Sequence, residues 1–209
     1  MPVTLLVWST SLTTPETQRP TPSPLASYSS EWNHAKYESC HTAVSATYLS
    51  QTEKDLIHIL NLARAYPALF LNTVVLQYPE KSEQPWLRKS HYYQSLVEDF
   101  KKLDAQWILK PELSLFNSAS CHASSSGTAS YVGHERITDA CRDVSKYSGE
   151  CCHYGSDTEA LDILMSLLID EDVPSLGHRR ILLGNFTRIG VAIRPHLQYK
   201  SNTVMDLGR

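Results

Sequence analysis

One imidazole, His178, sits in a Gly-His-Arg turn between an apolar helix-like run and an apolar strand-like run. Gly177 lets the chain turn tightly and lets other groups approach the ring. Pro174 cannot donate a backbone hydrogen bond, so a helix running from Leu164 is expected to end there. Asp170, Glu171 and Asp172 lie just upstream. A carboxylate beside an imidazole can fix its tautomer, raise its basicity or share a metal with it. The plainer alternative is a histidine that caps a helix start and bonds to local backbone. A nucleophilic enzyme needs a serine or cysteine held against a histidine. Ser124–Ser126 and Cys151 are available, but no nucleophile-elbow sequence surrounds them. His58 lies between apolar neighbours and reads as structural. His153, after Cys151-Cys152, reads as surface or cleft rim.

The elements that must position these groups are mostly helical. Ser50 with Glu53 forms a capping-box pattern, followed by Leu56, Ile59, Leu60 and Ala63 on one helical face. Pro67 breaks that helix, and residues 68–77 fit a second, shorter one. Residues 79–90 are polar with two prolines and are expected to form a loop. Ser90 can cap a helix carrying Tyr93, Leu96, Val97 and Phe100. Pro111 suits the first turn of another, with Leu115, Ala119 and His122 on one face; His122 reads as a core or cavity-wall residue. Residues 128–155 are irregular and read as a long loop, of the kind that is usually functional. Ser156 and Glu159 suggest a second capping box before A-L-D-I-L-M-S-L-L-I, whose nearly all-round apolar surface marks a buried helix. R-I-G-V-A-I and N-T-V-M-D-L are expected to pair as strands. Helices first and strands last, with a buried helix, argue for an α+β fold with helices on both faces of a sheet.

The 209 residues are 42% hydrophobic and 20% charged, enough for one ordinary domain. A net charge of −3 without a basic stripe argues against nucleic acid as a partner. No run of 18 apolar residues reads as a membrane span. Residues 1–30 read as a disordered Ser/Thr/Pro-rich segment or linker, and residues 31–209 as the folded domain. Residues 2–8 are apolar but short for a signal peptide and lack a basic start. Of five cysteines, Cys141 with Cys151 or Cys152 is the favoured disulfide because it closes a short loop; free buried thiols are the alternative.

P-S-L-G-H-R-R-I-L-L-G-N-F-T-R-I-G-V-A-I resembles the G-H-R-x-N-I-L-x-P-x-F-T-x-I-G-V-G signature of bacterial members of the CAP superfamily, relatives of cysteine-rich secretory proteins, antigen 5 and pathogenesis-related proteins. Asn61 and Arg64 match the family's Asn-x-x-Arg pair, and S-A-S-C-H-A-S fits its Ala-x-x-His-Ala helix. The resemblance implies a three-layer α-β-α sandwich around a small, mostly antiparallel sheet. It also implies secretion or a place in the cell envelope. The family's cavity residues map to His134 in G-H-E-R, Glu150 in G-E-C-C-H-Y-G and His178, with Asp170 as the fourth member and Glu159 as its competitor. Cys151 stands where many members have Asn, and Ile181 follows Arg180 where they read Asn. By this resemblance His134 and His178 hold a divalent metal such as Zn²⁺ or Mg²⁺, with Glu150 and Asp170 supporting them. The implied function is a non-enzymatic domain binding the metal and a small-molecule, lipid or peptide ligand. The alternative is a metal-dependent peptidase or cell-wall hydrolase that uses His178 and Glu150.

Overall fold

The structure is a computed structural model and describes residues 22–209; residues 1–21, most of the expected linker, lie outside the described residues. The remainder of that segment packs on the domain, with Leu25 fully buried in the main core. The folded unit therefore starts upstream of residue 31.

Helix α1 (Gln51–Ala65) begins as its sequence requires. Ser50 Oγ accepts the Glu53 N–H at 3.3 Å, and Glu53 Oε2 accepts the Ser50 N–H at 2.7 Å. Its Asn61 and Arg64, one turn apart, are both fully buried. Asn61 donates to the carbonyls of Cys40 and Leu109 and accepts from the Leu109 N–H. Arg64 donates to the carbonyls of Trp107, Leu182, Gly184 and Phe186. These two side chains satisfy the backbone of three distant segments that have no ladder of their own. After Pro67 come α2 (Pro67–Thr73) and α3 (Tyr78–Lys81). Residues 79–90 are thus more helical than expected, since a 3₁₀ turn over Pro85–Lys89 follows. Ser90 caps α4 (His91–Lys102) by accepting the N–H groups of Tyr92 and Tyr93.

Pro111 does not open a helix. It lies in a short strand, β1 (Lys110–Pro111), beside β3 (Arg188–His196). The N–H groups of Lys110 and Glu112 donate to Thr187 and Ile189, so the residue between them turns its nitrogen away and tolerates proline. Helix α5 (Leu113–Ala129) follows. The stretch expected to be a loop contains α6 (Asp139–Val144) and strand β2 (Gly149–Gly155). Helix α7 (Ala160–Ile169) lacks the expected Ser156 capping box: Glu159 occupies the N-cap without a side-chain cap, and Asp157 faces His153 instead. It ends at Asp170, in the left-handed region, before Pro174 is reached. Then come α8 (Gly177–Leu182), β3 and β4 (Lys200–Gly208).

The fold is α+β with a four-stranded mixed sheet in the order β1-β3-β4-β2. β1 runs parallel to β3, while β3-β4 and β4-β2 are antiparallel. R-I-G-V-A-I and N-T-V-M-D-L pair as expected. Strand side chains alternate between faces. Cys151, Val191 and Met205 enter the large core with α1, α4 and α7. Their neighbours Cys152, Ala192 and Val204 pack with Ala119 and Ala123 of α5. Gly190 permits close contact with α5, because a Cβ there would lie 2.1 Å from the Phe116 nitrogen.

The disulfide joins Cys121 to Cys141, tying α5 to α6, and not Cys141 to Cys151 or Cys152. Strand alternation sends Cys151 and Cys152 into two cores, and both remain free thiols, as does Cys40. Among the described residues no single helix is long and apolar enough to cross a membrane.

Candidate functional site

Glu150 is set by β2 on the face that packs against α5. In the antiparallel register it stands opposite Asp206 of β4. Both carboxyls are buried. Residues 130–138 run beside this pair and deliver two more groups. His134 places Nδ1 2.8 Å from Glu150 Oε1, with most of its ring exposed. Arg136 is buried and brings Nη2 to 2.5 Å from Glu150 Oε2 and 3.3 Å from Asp206 Oδ2. The Cys121–Cys141 bridge closes the segment that carries both.

Charge within this cluster is unevenly shared. Burial pushes Asp206 up to about 8, and the neighbouring Glu150 charge adds to the effect. Burial acts the same way on Glu150, but hydrogen bonds from His134, Arg136 and Asp206 outweigh it and hold Glu150 down to about 2. Asp206 therefore keeps the proton of the pair at neutral pH while Glu150 carries the charge. The hydrogen bond to Glu150 raises His134 above the ordinary histidine range against the opposing effect of burial.

Two further side chains reach the same point. His122 of α5 is fully buried, and its Nε2 lies 2.9 Å from the Gly133 carbonyl. That contact places the proton on Nε2 and leaves Nδ1 as a buried acceptor without a partner. Burial, then Arg136, lowers the basicity of His122. Cys152 Sγ lies 3.7 Å from His134 Nδ1. Burial, reinforced by Glu150, raises its thiol well above the usual range. Donor atoms of His122, Glu150 and Cys152 all lie within 4.8 Å of one another. Imidazole, carboxylate and thiol together suit a borderline ion such as zinc far better than magnesium.

His178 belongs to a different pair. Asp170 accepts the His178 backbone N–H at 3.0 Å and lies 2.7 Å from its Nδ1. The carboxylate that ends α7 thus fixes the start of α8. Glu159, the competitor for this role, is exposed at the other end of α7. Cys151 Sγ contacts the His178 carbonyl at 3.7 Å, whereas Cys152 Sγ contacts the His134 ring. Adjacent strand residues face opposite ways, so the His178 backbone and the His134 ring meet β2 from opposite faces. The four expected cavity residues form two His–carboxylate pairs, and no group of three close metal-ligating donors among the described residues includes His134 or His178. His153, expected at a rim, is buried, with Nε2 3.3 Å from Asp157.

Arg136, Cys152 and Asp206 were not among the expected site residues. The local signal for them is slight, because Asp206 meets Glu150 only through the β2-β4 register. Comparisons with known protein families, curated proteins and solved structures gave no match for this chain.

Proposed function

We propose that the chain is a secreted or cell-envelope domain of CAP type, which binds a divalent metal of the zinc class and a small ligand without turning it over. The sequence signature around His178 and the Asn61/Arg64 pair support the kinship. The division of strand side chains between two cores supports the three-layer sandwich it implies. The observation that carries the metal reading is the convergence of His122, Glu150 and Cys152. These three residues would hold the ion, and His134 would stand at the exposed edge. A cavity of about 590 Å³ lined by His134, Arg136, Arg142 and Tyr147 gives a small-molecule, lipid or peptide ligand a place beside it.

Binding is favoured over metal-dependent hydrolysis because Glu150, held low by its partners, is a weak proton acceptor near neutral pH. The other residue of the hydrolytic reading, His178, is paired with Asp170 and not with Glu150. Zinc titration by calorimetry tests the proposal. Wild type should bind with an affinity that falls more than about tenfold in Glu150→Gln and in Cys152→Ser, while His178→Ala leaves it unchanged. Zinc-dependent turnover of peptide, peptidoglycan or ester substrates, lost in Glu150→Gln, would move the reading to a hydrolase.

A further inference from the structure

A second set of histidines lies away from that cluster, where the N-terminal turns pack on α1. His58 is 7% exposed, and neither of its ring nitrogens has a hydrogen-bond partner among the described residues. His41 follows the 3₁₀ turn Ala35–Cys40, and its buried Nε2 is also unpartnered. The two rings stack with centroids 4.3 Å apart and planes 16° from parallel. Burial lowers His41, and lowers His58 to about 4, so the His58 ring is neutral at ordinary pH. Neutral imidazole is the form that binds metals.

Asp55 precedes His58 by three residues on α1, which puts both on one helical face. Its charge also acts on His41. Asp55, His41 and His58 together line a cavity of about 340 Å³. The same two histidines border a wider groove of about 650 Å³ with His34, Trp32, Tyr37 and Glu38. Gln51 donates to Asp55 Oδ1, which leaves Oδ2 available. Among the described residues the one cation at this wall, Lys54, turns its ammonium to the Val44 carbonyl at 3.1 Å. The donor atoms of Asp55, His41 and His58 do not all lie within 4.8 Å of one another, so the three orphaned buried nitrogens and the Asp55 carboxylate close on an ion only when a ring turns.

We propose that Asp55, His58 and His41 form a second divalent-metal site, two imidazoles and one carboxylate, for a first-row transition ion such as Zn²⁺. Such a set leaves open positions for water or an added ligand, and the groove gives access to them. Stacked rings direct their lone pairs side by side, so binding requires one of them to turn. His41 is the mobile partner, being half-buried on a turn, whereas His58 is fixed on α1. This site shares no residue with the His122/Glu150/Cys152 cluster and does not depend on that reading.

The test uses the full chain, stripped with chelator and then dialysed against zinc alone. Wild type should bind two ions per chain. Glu150→Gln/Cys152→Ser should bind one. Adding Asp55→Asn or His41→Ala to that variant should weaken the remaining ion more than about tenfold. Zinc should also shift the ring-proton resonances of His41 and His58 in the Glu150→Gln/Cys152→Ser protein. Asp55 and His41 are only partly buried, so these variants remain folded even where His58→Ala does not. A single ion lost with Asp55 and His41 but kept in Glu150→Gln would uphold this site and remove the other. The proposal is overturned if Glu150→Gln/Cys152→Ser binds no zinc, or binds it equally well after Asp55→Asn and His41→Ala.

Discussion

Replacing Arg179 by methionine removes the group that closes the end of α7 against α4 and α8. The guanidinium is buried and donates to the carbonyls of Leu168 and Ile169 at the end of α7 and of Tyr92 in α4. It also reaches Ser95 Oγ and Asp99 Oδ2. The Asp99 side chain is 54% exposed, so the ion pair itself contributes less than about 1 kcal/mol. The larger loss comes from buried carbonyls left without a donor, at about 1–3 kcal/mol each before relaxation. Arg179→Met should therefore cost about 3–5 kcal/mol in total, or about 10 °C in Tm for a domain of this size. Arg179→Lys offers three donors from one point in place of a planar fork, and should recover less than about half of that loss. Asp99→Asn should cost under about 1 kcal/mol. Urea denaturation followed by circular dichroism and by tryptophan fluorescence measures all three. Arg179→Met within about 1 kcal/mol of wild type, or Asp99→Asn as damaging as Arg179→Met, would refute this role of the guanidinium.

Four further outcomes are expected. Because folding raises Asp206 to about 8, the folded chain holds a proton that the unfolded chain releases, and stability should fall as pH rises from about 4 to about 8. Asp206→Asn, which keeps a donor toward Glu150 but cannot ionise, should flatten that decline in metal-free buffer; parallel stability–pH curves would contradict the assignment. Gly190→Ala should cost about 3 kcal/mol or prevent folding, as judged by its melting curve, because the new Cβ meets the backbone of α5. Ser50→Ala should cost about 1 kcal/mol in urea denaturation by removing one half of the α1 capping box. Reducing Cys121–Cys141 should cost about 3 kcal/mol and, by loosening the segment that carries His134 and Arg136, weaken zinc binding in calorimetry.

Helices α1 and α4 were legible because Ser50 and Ser90 announce their starts and their apolar residues recur at helical spacing. The β3-β4 pairing was legible from its apolar runs. β2 was not, because Cys151 and Cys152 are both buried, one in each core, and a strand covered on both faces shows no alternation. Missing that strand hid the rest. Without its register nothing brings Asp206 to Glu150. The disulfide was misplaced for the same reason: a short loop favours Cys141 with Cys151 or Cys152, but a strand holds both thiols in place while α6 presents Cys141 to α5. Pro111 misled because proline suits a helix start and an outward-facing strand position equally well.

The most direct measurement is X-ray absorption at the zinc edge on protein carrying His41→Ala and Asp55→Asn and loaded with one equivalent of the ion. A site built from His122, Glu150 and Cys152 predicts one sulfur at about 2.3 Å with nitrogen and oxygen neighbours at about 2.0–2.2 Å, and loss of the sulfur in Cys152→Ser. A spectrum with only nitrogen and oxygen neighbours, unchanged by Cys152→Ser, would contradict it.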